Sequence, residues 1–198
     1  MERYYHRRIA IGLPSLRAET LKERLIEEIK RVRKTSFTLE PEAGTQRLRN
    51  AINKGNSEED LLATTGRVFD AGWKSVKLYF MLGLPGETEE DMEGIVDLSY
   101  KVLKTAGSRA QVTVSMSTFV PKAFTPFQWH AQIPLEETRQ KQDYFKKRLK
   151  HRNLNVKWHD ARMSVLEGIF ARGGEETGLL FEDAFRRGCR FDGWTDRF

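Results

Sequence analysis

Four short segments of this chain place ligand-gripping groups directly after strand-forming runs. They are Leu13-Pro14-Ser15-Leu16-Arg17, Leu39-Glu40-Pro41-Glu42-Ala43-Gly44-Thr45, Leu82-Gly83-Leu84-Pro85-Gly86-Glu87-Thr88 and Phe119-Val120-Pro121-Lys122. Each joins an apolar run to Gly or Pro, the residues that turn a chain, and to a side chain that can hold a polar ligand. Glu40 and Glu42 offer carboxylate acceptors, and Arg17 offers a planar fork that matches a carboxylate. Turn punctuation explains the Gly and Pro of any one loop. It does not explain why Arg17, Glu40 and Glu42 recur at the same place in successive units.

Other chemistries are excluded. The single cysteine, Cys189, rules out an internal disulfide and any multi-cysteine metal site made by this chain alone. His6, His130, His151 and His159 show no metal-ligand spacing. No phosphate-cradling Gly-rich loop with a Walker lysine is present, which disfavours an ordinary nucleotide-binding α/β protein. Lys54 and Lys77 could face anionic ligand groups, but solvent is the assignment preferred for both. The net charge of +6 over 198 residues suits RNA, a nucleotide or a phosphate-bearing partner, but the basic residues are dispersed as on a solvated surface. The apolar runs Val76 to Leu84 and Val112 to Pro121 are interrupted and short of the ~20 residues of a membrane span. No apolar stretch behind the N-terminus suits a signal peptide. A cytoplasmic location without membrane contact is the expectation.

The elements that must position these loops alternate in type. Residues 8–13, 36–39, 74–81 and 111–118 read as strands, and Val76, Leu78 and Phe80 alternate with Lys77, Tyr79 and Met81. Leu21, Leu25, Ile29 and Val32 share one helical face after Thr20. Ser57 with Asp60, and Thr88, open further helices, closed near Gly72 and Gly107. Later helices are expected over 135–152, 160–171 and 175–187, with a short strand at 155–158. Strand–helix repetition of this kind implies a parallel sheet, either doubly wound or an arc of a barrel, with ligands at the carboxyl ends of the strands.

The loops also carry a family resemblance. Leu39-Glu40-Pro41-Glu42-Ala43-Gly44-Thr45-Gln46-Arg47-Leu48, with Ile52-Asn53-Lys54-Gly55, resembles the fourth barrel strand and following helix of radical S-adenosylmethionine (SAM) enzymes. It is closest to the branch with methylthiotransferase-like and B12-associated members. Phe80-Met81-Leu82-Gly83-Leu84-Pro85-Gly86-Glu87-Thr88 resembles the fifth-strand motif of that superfamily. Ser117 to Phe127 is similar to its sixth strand and exit loop. The stretch Leu166 to Gly174 also resembles the segment after the barrel in an uncharacterised class of that branch, although Gly174-Glu175-Glu176 stands where an Asp and Arg residues tend to follow the Arg-Gly of that class.

This resemblance implies a partial (β/α) TIM-type barrel with parallel strands, about strands three to six, over residues 1–130, and a helical extension over 131–198 packed on it. It implies a SAM site in which Ser15 and Arg17 hold the methionine carboxylate, against the alternative of a surface ion pair, and Glu42, with Gly44 in the same loop, contacts the ribose, against the alternative of capping the helix that starts near Thr45. Met81, Leu82 and Gly83 form the adenine floor, and Phe119, Val120 and Pro121 wall the other side and offer backbone groups to the adenine edge. The family's Cys-x3-Cys-x2-Cys loop, which holds a [4Fe–4S] cluster, has no counterpart here. Cys189 cannot replace it, because three thiolates are needed. No catalytic or metal-ligating residue is assigned.

The chain is therefore expected to be a fragment that binds SAM, weakly by itself. Radical generation toward an unknown substrate, RNA or protein among the candidates, would belong to the full-length enzyme with its cluster and an electron donor. The alternative is a non-catalytic α/β module that grips RNA or a protein. An exposed edge at residues 8–13 is expected to pair with a second copy or to be covered by a terminal segment.

Overall fold

The computed structural model describes His6 and residues 23–30, 37–107 and 110–189. The strand expected over 8–13, with its edge, and the candidates Ser15 and Arg17 lie outside these residues. The first described element is α1 (Glu23–Lys30), which buries Ile26 and Ile29. There follow β1 (Phe37–Glu42), α2 (Gln46–Ala51), α3 (Glu58–Asp70), β2 (Ser75–Leu82), α4 (Glu89–Ala106) and β3 (Gln111–Thr118). The rest is α5 (Leu135–Arg148), β4 (Leu154–Trp158), α6 (Ala161–Arg172) and α7 (Glu176–Arg186).

The four strands form one parallel sheet in the order β1-β2-β3-β4. Parallel neighbours with a helix in each connection make the arc of a TIM-type barrel that the sequence implied. The arc runs past residue 130, since β4 pairs with β3 from Val112↔Leu154 to Met116↔Trp158. The segment expected to be a helical extension thus contributes a strand to the sheet.

Strand alternation sorts the two faces. Val76, Leu78, Phe80 and Leu82 of β2 and Val112, Val114 and Met116 of β3 are buried in the main core. They meet Leu61 and Val68 of α3, Ile95, Leu98 and Val102 of α4, and Phe145 of α5. Phe37 and Trp73 close one end of this core edge to face, with ring centroids 4.9 Å apart. The opposite face presents Thr38, Lys77, Tyr79, Met81, Thr113, Ser115 and Ser117. Helices pack on one side of the sheet, and the other side, the inside of the arc, carries mostly polar residues.

Local signals set the helix starts. Ser57 Oγ accepts from the Asp60 N–H at 3.0 Å, and Asp60 accepts from the Ser57 N–H at 3.3 Å, a reciprocal cap. Thr88 and Asp91 repeat the arrangement at α4. The helix expected to reach Arg152 stops at Arg148. His151 organises the turn instead, its Nδ1 accepting from Asn153 N–H at 3.1 Å and its carbonyl from Leu154 N–H at 3.0 Å.

Candidate functional site

The rim at the carboxyl end of β1 is built on a distortion. The strand was expected to end before Pro41, yet it runs to Glu42, because the register slips between Leu39↔Leu78 and Glu42↔Phe80. Two residues, Glu40 and Pro41, then lie opposite Tyr79 alone, a bulge where proline's missing N–H costs the ladder nothing. Ala43 N–H donates to the Pro41 carbonyl at 2.8 Å around Glu42, whose φ is +67°. A three-residue turn through a left-handed glutamate is strained, by about 1–2 kcal/mol relative to glycine.

That strain holds the Glu42 carboxylate, 11% exposed, against Lys54 Nζ at 3.0 Å. The same ammonium lies 3.5 Å from Glu40. Lys54 gets there because Asn53, also left-handed at φ +58°, turns the chain after α2. The solvent-facing reading of Lys54 is therefore corrected. Burial pushes the Glu42 carboxyl up, and the hydrogen bond and charge of Lys54 only partly oppose it. Glu42 does not cap α2, since Thr45 does so by accepting from Leu48 N–H. One amine leaves acceptor sites of a carboxylate open.

The neighbouring loops close over a small apolar cluster of Ala43, Leu48, Leu84 and Phe119, with Met81 and Phe127 against it. Phe119 and Phe127 meet edge to face at 6.0 Å. Val120 is half-buried and Pro121 buried. The Phe119 N–H, expected to be offered to a ligand, donates to the Leu82 carbonyl at 2.8 Å. Leu82's side chain faces the main core on the helix side, so it brings no side chain to an adenine floor. Gly83 takes φ +78°, and a Cβ there would lie 2.6 Å from Ile133, whose side chain covers this glycine. Gly44 is buried on the helix side, pressed on the backbone of α4.

A second set of residues, missed by sequence reasoning, locks these loops together. Asp91, buried at the start of α4, accepts from the Thr88 N–H and hydroxyl, each at 2.8 Å, from the Thr45 hydroxyl and from Arg47. Burial pushes its carboxyl up, but these bonds outweigh it and hold the group below its usual range. Buried Arg49 donates to the carbonyls of Ala43 and Gly44 at 3.1 and 3.0 Å. Glu87 accepts from Gly83 N–H at 3.0 Å and pairs with Lys141 of α5 at 2.8 Å, with burial raising its carboxyl. The Thr88-x-x-Asp91 spacing signals a cap. Nothing in it signals the reach back to Thr45 and Arg47.

With the geometry in place, comparison with known proteins supplies the class. Residues 3–99, about half of the chain, match the radical SAM superfamily, and the chain belongs to that superfamily. Among individual proteins it is similar to uncharacterized protein MJ0966 of Methanocaldococcus jannaschii, 34% identical over 167 residues. That alignment takes in 84% of this chain and 36% of the relative, so the chain spans about a third of the relative's length. A crystal structure of a proposed phosphonomutase from Burkholderia cenocepacia J2315 aligns over 77% of this chain and 75% of that one, at 12% identity and a TM-score of 0.23.

The residues present fit one cofactor of the superfamily and not the other. Glu42 offers a buried, strained carboxylate, and the next residue, Ala43, packs with Phe119 and Met81; a carboxylate and an apolar ledge are the groups a ribose and an adenine ring need. An iron–sulfur cluster does not fit, because the chain has one cysteine and the described residues contain no group of three His, Cys, Asp or Glu that could hold a metal. No helix among the described residues is long and apolar enough to cross a membrane.

The strain at Glu42 is measurable. Glu42→Gly is expected to be more stable than Glu42→Ala by about 1 kcal/mol, because both delete the carboxylate and only glycine accepts the left-handed backbone freely. Urea denaturation of the two variants checks this.

Proposed function

We propose that this chain is the SAM-binding part of a radical SAM enzyme, reading the rim of β1, β2 and β3 as the cofactor site. The observation that carries the reading is Glu42, a carboxylate kept buried and left-handed where an uncharged glycine would fit better. Proteins retain such strain where a side chain must be aimed. Glu42 would accept the two ribose hydroxyls, with Lys54 fixing its orientation. Met81 and Phe119 would flank the adenine, and the backbone at Val120 would meet its edge. Ser15 and Arg17 would take the methionine carboxylate. In this superfamily bound SAM supplies the 5′-deoxyadenosyl group used for hydrogen abstraction. The residues here bind and orient the molecule and keep water from its adenosyl end. Chemistry on a substrate would belong to a longer protein that also provides a cluster and an electron.

Isothermal titration calorimetry with SAM tests the assignment. Wild-type chain is expected to bind weakly, above micromolar, and Glu42→Gln to abolish the heat while leaving the fold intact. Micromolar or tighter binding unaffected by Glu42→Gln would overturn it.

A further inference from the structure

We infer that the polar face of the sheet recognises a phosphate group on the substrate. The inference rests on the SAM reading only in calling the bound molecule a substrate; the phosphate site stands on its own residues.

The register builds this face row by row. Thr38, Lys77, Thr113 and Asn155 are successive partners across β1 to β4, and Tyr79, Ser115 and Lys157 form the next row. Ser117, beside Met81, continues toward the rim. Partners in a parallel sheet share a face, so Lys77 and Lys157 project to the same side. His159 joins them, its ring 6.4 Å from that of Tyr79.

The two ammonium groups have no carboxylate partner among the described residues. Lys77 Nζ lies over the Tyr79 ring, 5.7 Å from its centroid. Glu40, an acid near this face, is engaged by Lys54. Lys77 and Lys157 place two positive charges on one face with no fixed counter-charge, which favours an anion there. The remaining groups decide which anion. Thr38, Tyr79, Thr113, Ser115 and Ser117 offer hydroxyl donors at several heights, which suits the several oxygens of a phosphate. A carboxylate is more often gripped by the planar fork of arginine, and none of these row positions carries one.

Amide-resolved NMR of the full chain tests the site, with inorganic phosphate, glycerol 3-phosphate and acetate as probes at matched ionic strength. Both phosphates are expected to shift Lys77, Tyr79, Ser115 and Lys157 saturably, and acetate is not. A response to inorganic phosphate alone would overturn the substrate reading in favour of an adventitious ion only. Lys77→Gln and Lys157→Gln should each weaken phosphate binding roughly tenfold, while Lys104→Gln on α4 should not. Exposed Lys157 gives a variant that folds even if Lys77→Gln does not. No saturable shift, an equal response to acetate, or full retention in Lys157→Gln would overturn the inference. A wild-type chain that shows these phosphate shifts but no SAM binding would register failure of the SAM reading separately from failure of this one.

Discussion

Gly44→Ala is expected to destabilise the protein by about 3 kcal/mol or more, at the upper end of what overpacking costs. A Cβ at this position would lie 2.1 Å from the Asp91 carbonyl oxygen, 2.3 Å from Ile95 N and 2.7 Å from Gly94 C. All three are backbone atoms of α4, so no side chain can swing aside, and the loop after β1 must lift from the helix. Gly83→Ala is the internal comparison. The three atoms nearest its new Cβ all belong to the Ile133 side chain and none to backbone, and its strain at φ +78° amounts to about 1–2 kcal/mol. Thermal and urea unfolding should therefore rank Gly44→Ala well below Gly83→Ala. Gly44 was expected to line the cofactor site; its geometry places it one layer behind, where it sets the height of the loop that carries Glu42.

Asp91→Ala is the second large effect, about 3 kcal/mol, and its sources can be separated. The variant keeps the Thr88 cap, whose hydroxyl still accepts from the backbone N–H of residue 91, and loses the return half of the capping box at α4. It also strands the Thr45 hydroxyl and the Thr88 N–H, each at a cost of about 1–3 kcal/mol if left unsatisfied. Arg47 adds little, since its side chain is 56% exposed and water can take over its charge. Because the Asp91 carboxyl is held below the ordinary value of 3.8, its stabilisation is complete above that pH. It is lost as pH falls through the folded value. Wild type should therefore lose more stability than Asp91→Ala on acidification below about pH 4, and urea titrations across pH 2–6 measure the difference. SAM binding should weaken in the variant as well, because Asp91 ties the loop of Gly44 and Thr45 to the loop of Gly83 to Thr88.

How much of this was legible follows the range of the interaction. Alternation in Lys74 to Met81 and in Gln111 to Thr118 was enough for β2 and β3, because one buried face needs only a period of two. Ser57 with Asp60, and Thr88, marked their helices since capping partners lie three residues apart. The extension of β1 through Pro41 was hidden, as a bulge depends on the partner strand. Asp91 with Thr45, Lys54 with Glu42, and Ile133 over Gly83 were hidden for the same reason: each partner is chosen by the fold. Within the expected site, Glu42, Met81 and Phe119 gather at one rim, Gly44 and Leu82 turn into packing, and Ser15 and Arg17 lie outside the described residues.

Mapping SAM onto the chain by amide chemical shifts tests the central claim most directly. The account predicts saturable perturbations concentrated at Glu42, Lys54, Met81, Gly83, Phe119 and Val120, all lost in Glu42→Gln. Perturbations concentrated instead in the groove of about 730 Å³ between α6 and α7, lined by Met163, Phe170 and Phe181, or none at any SAM concentration, would contradict it.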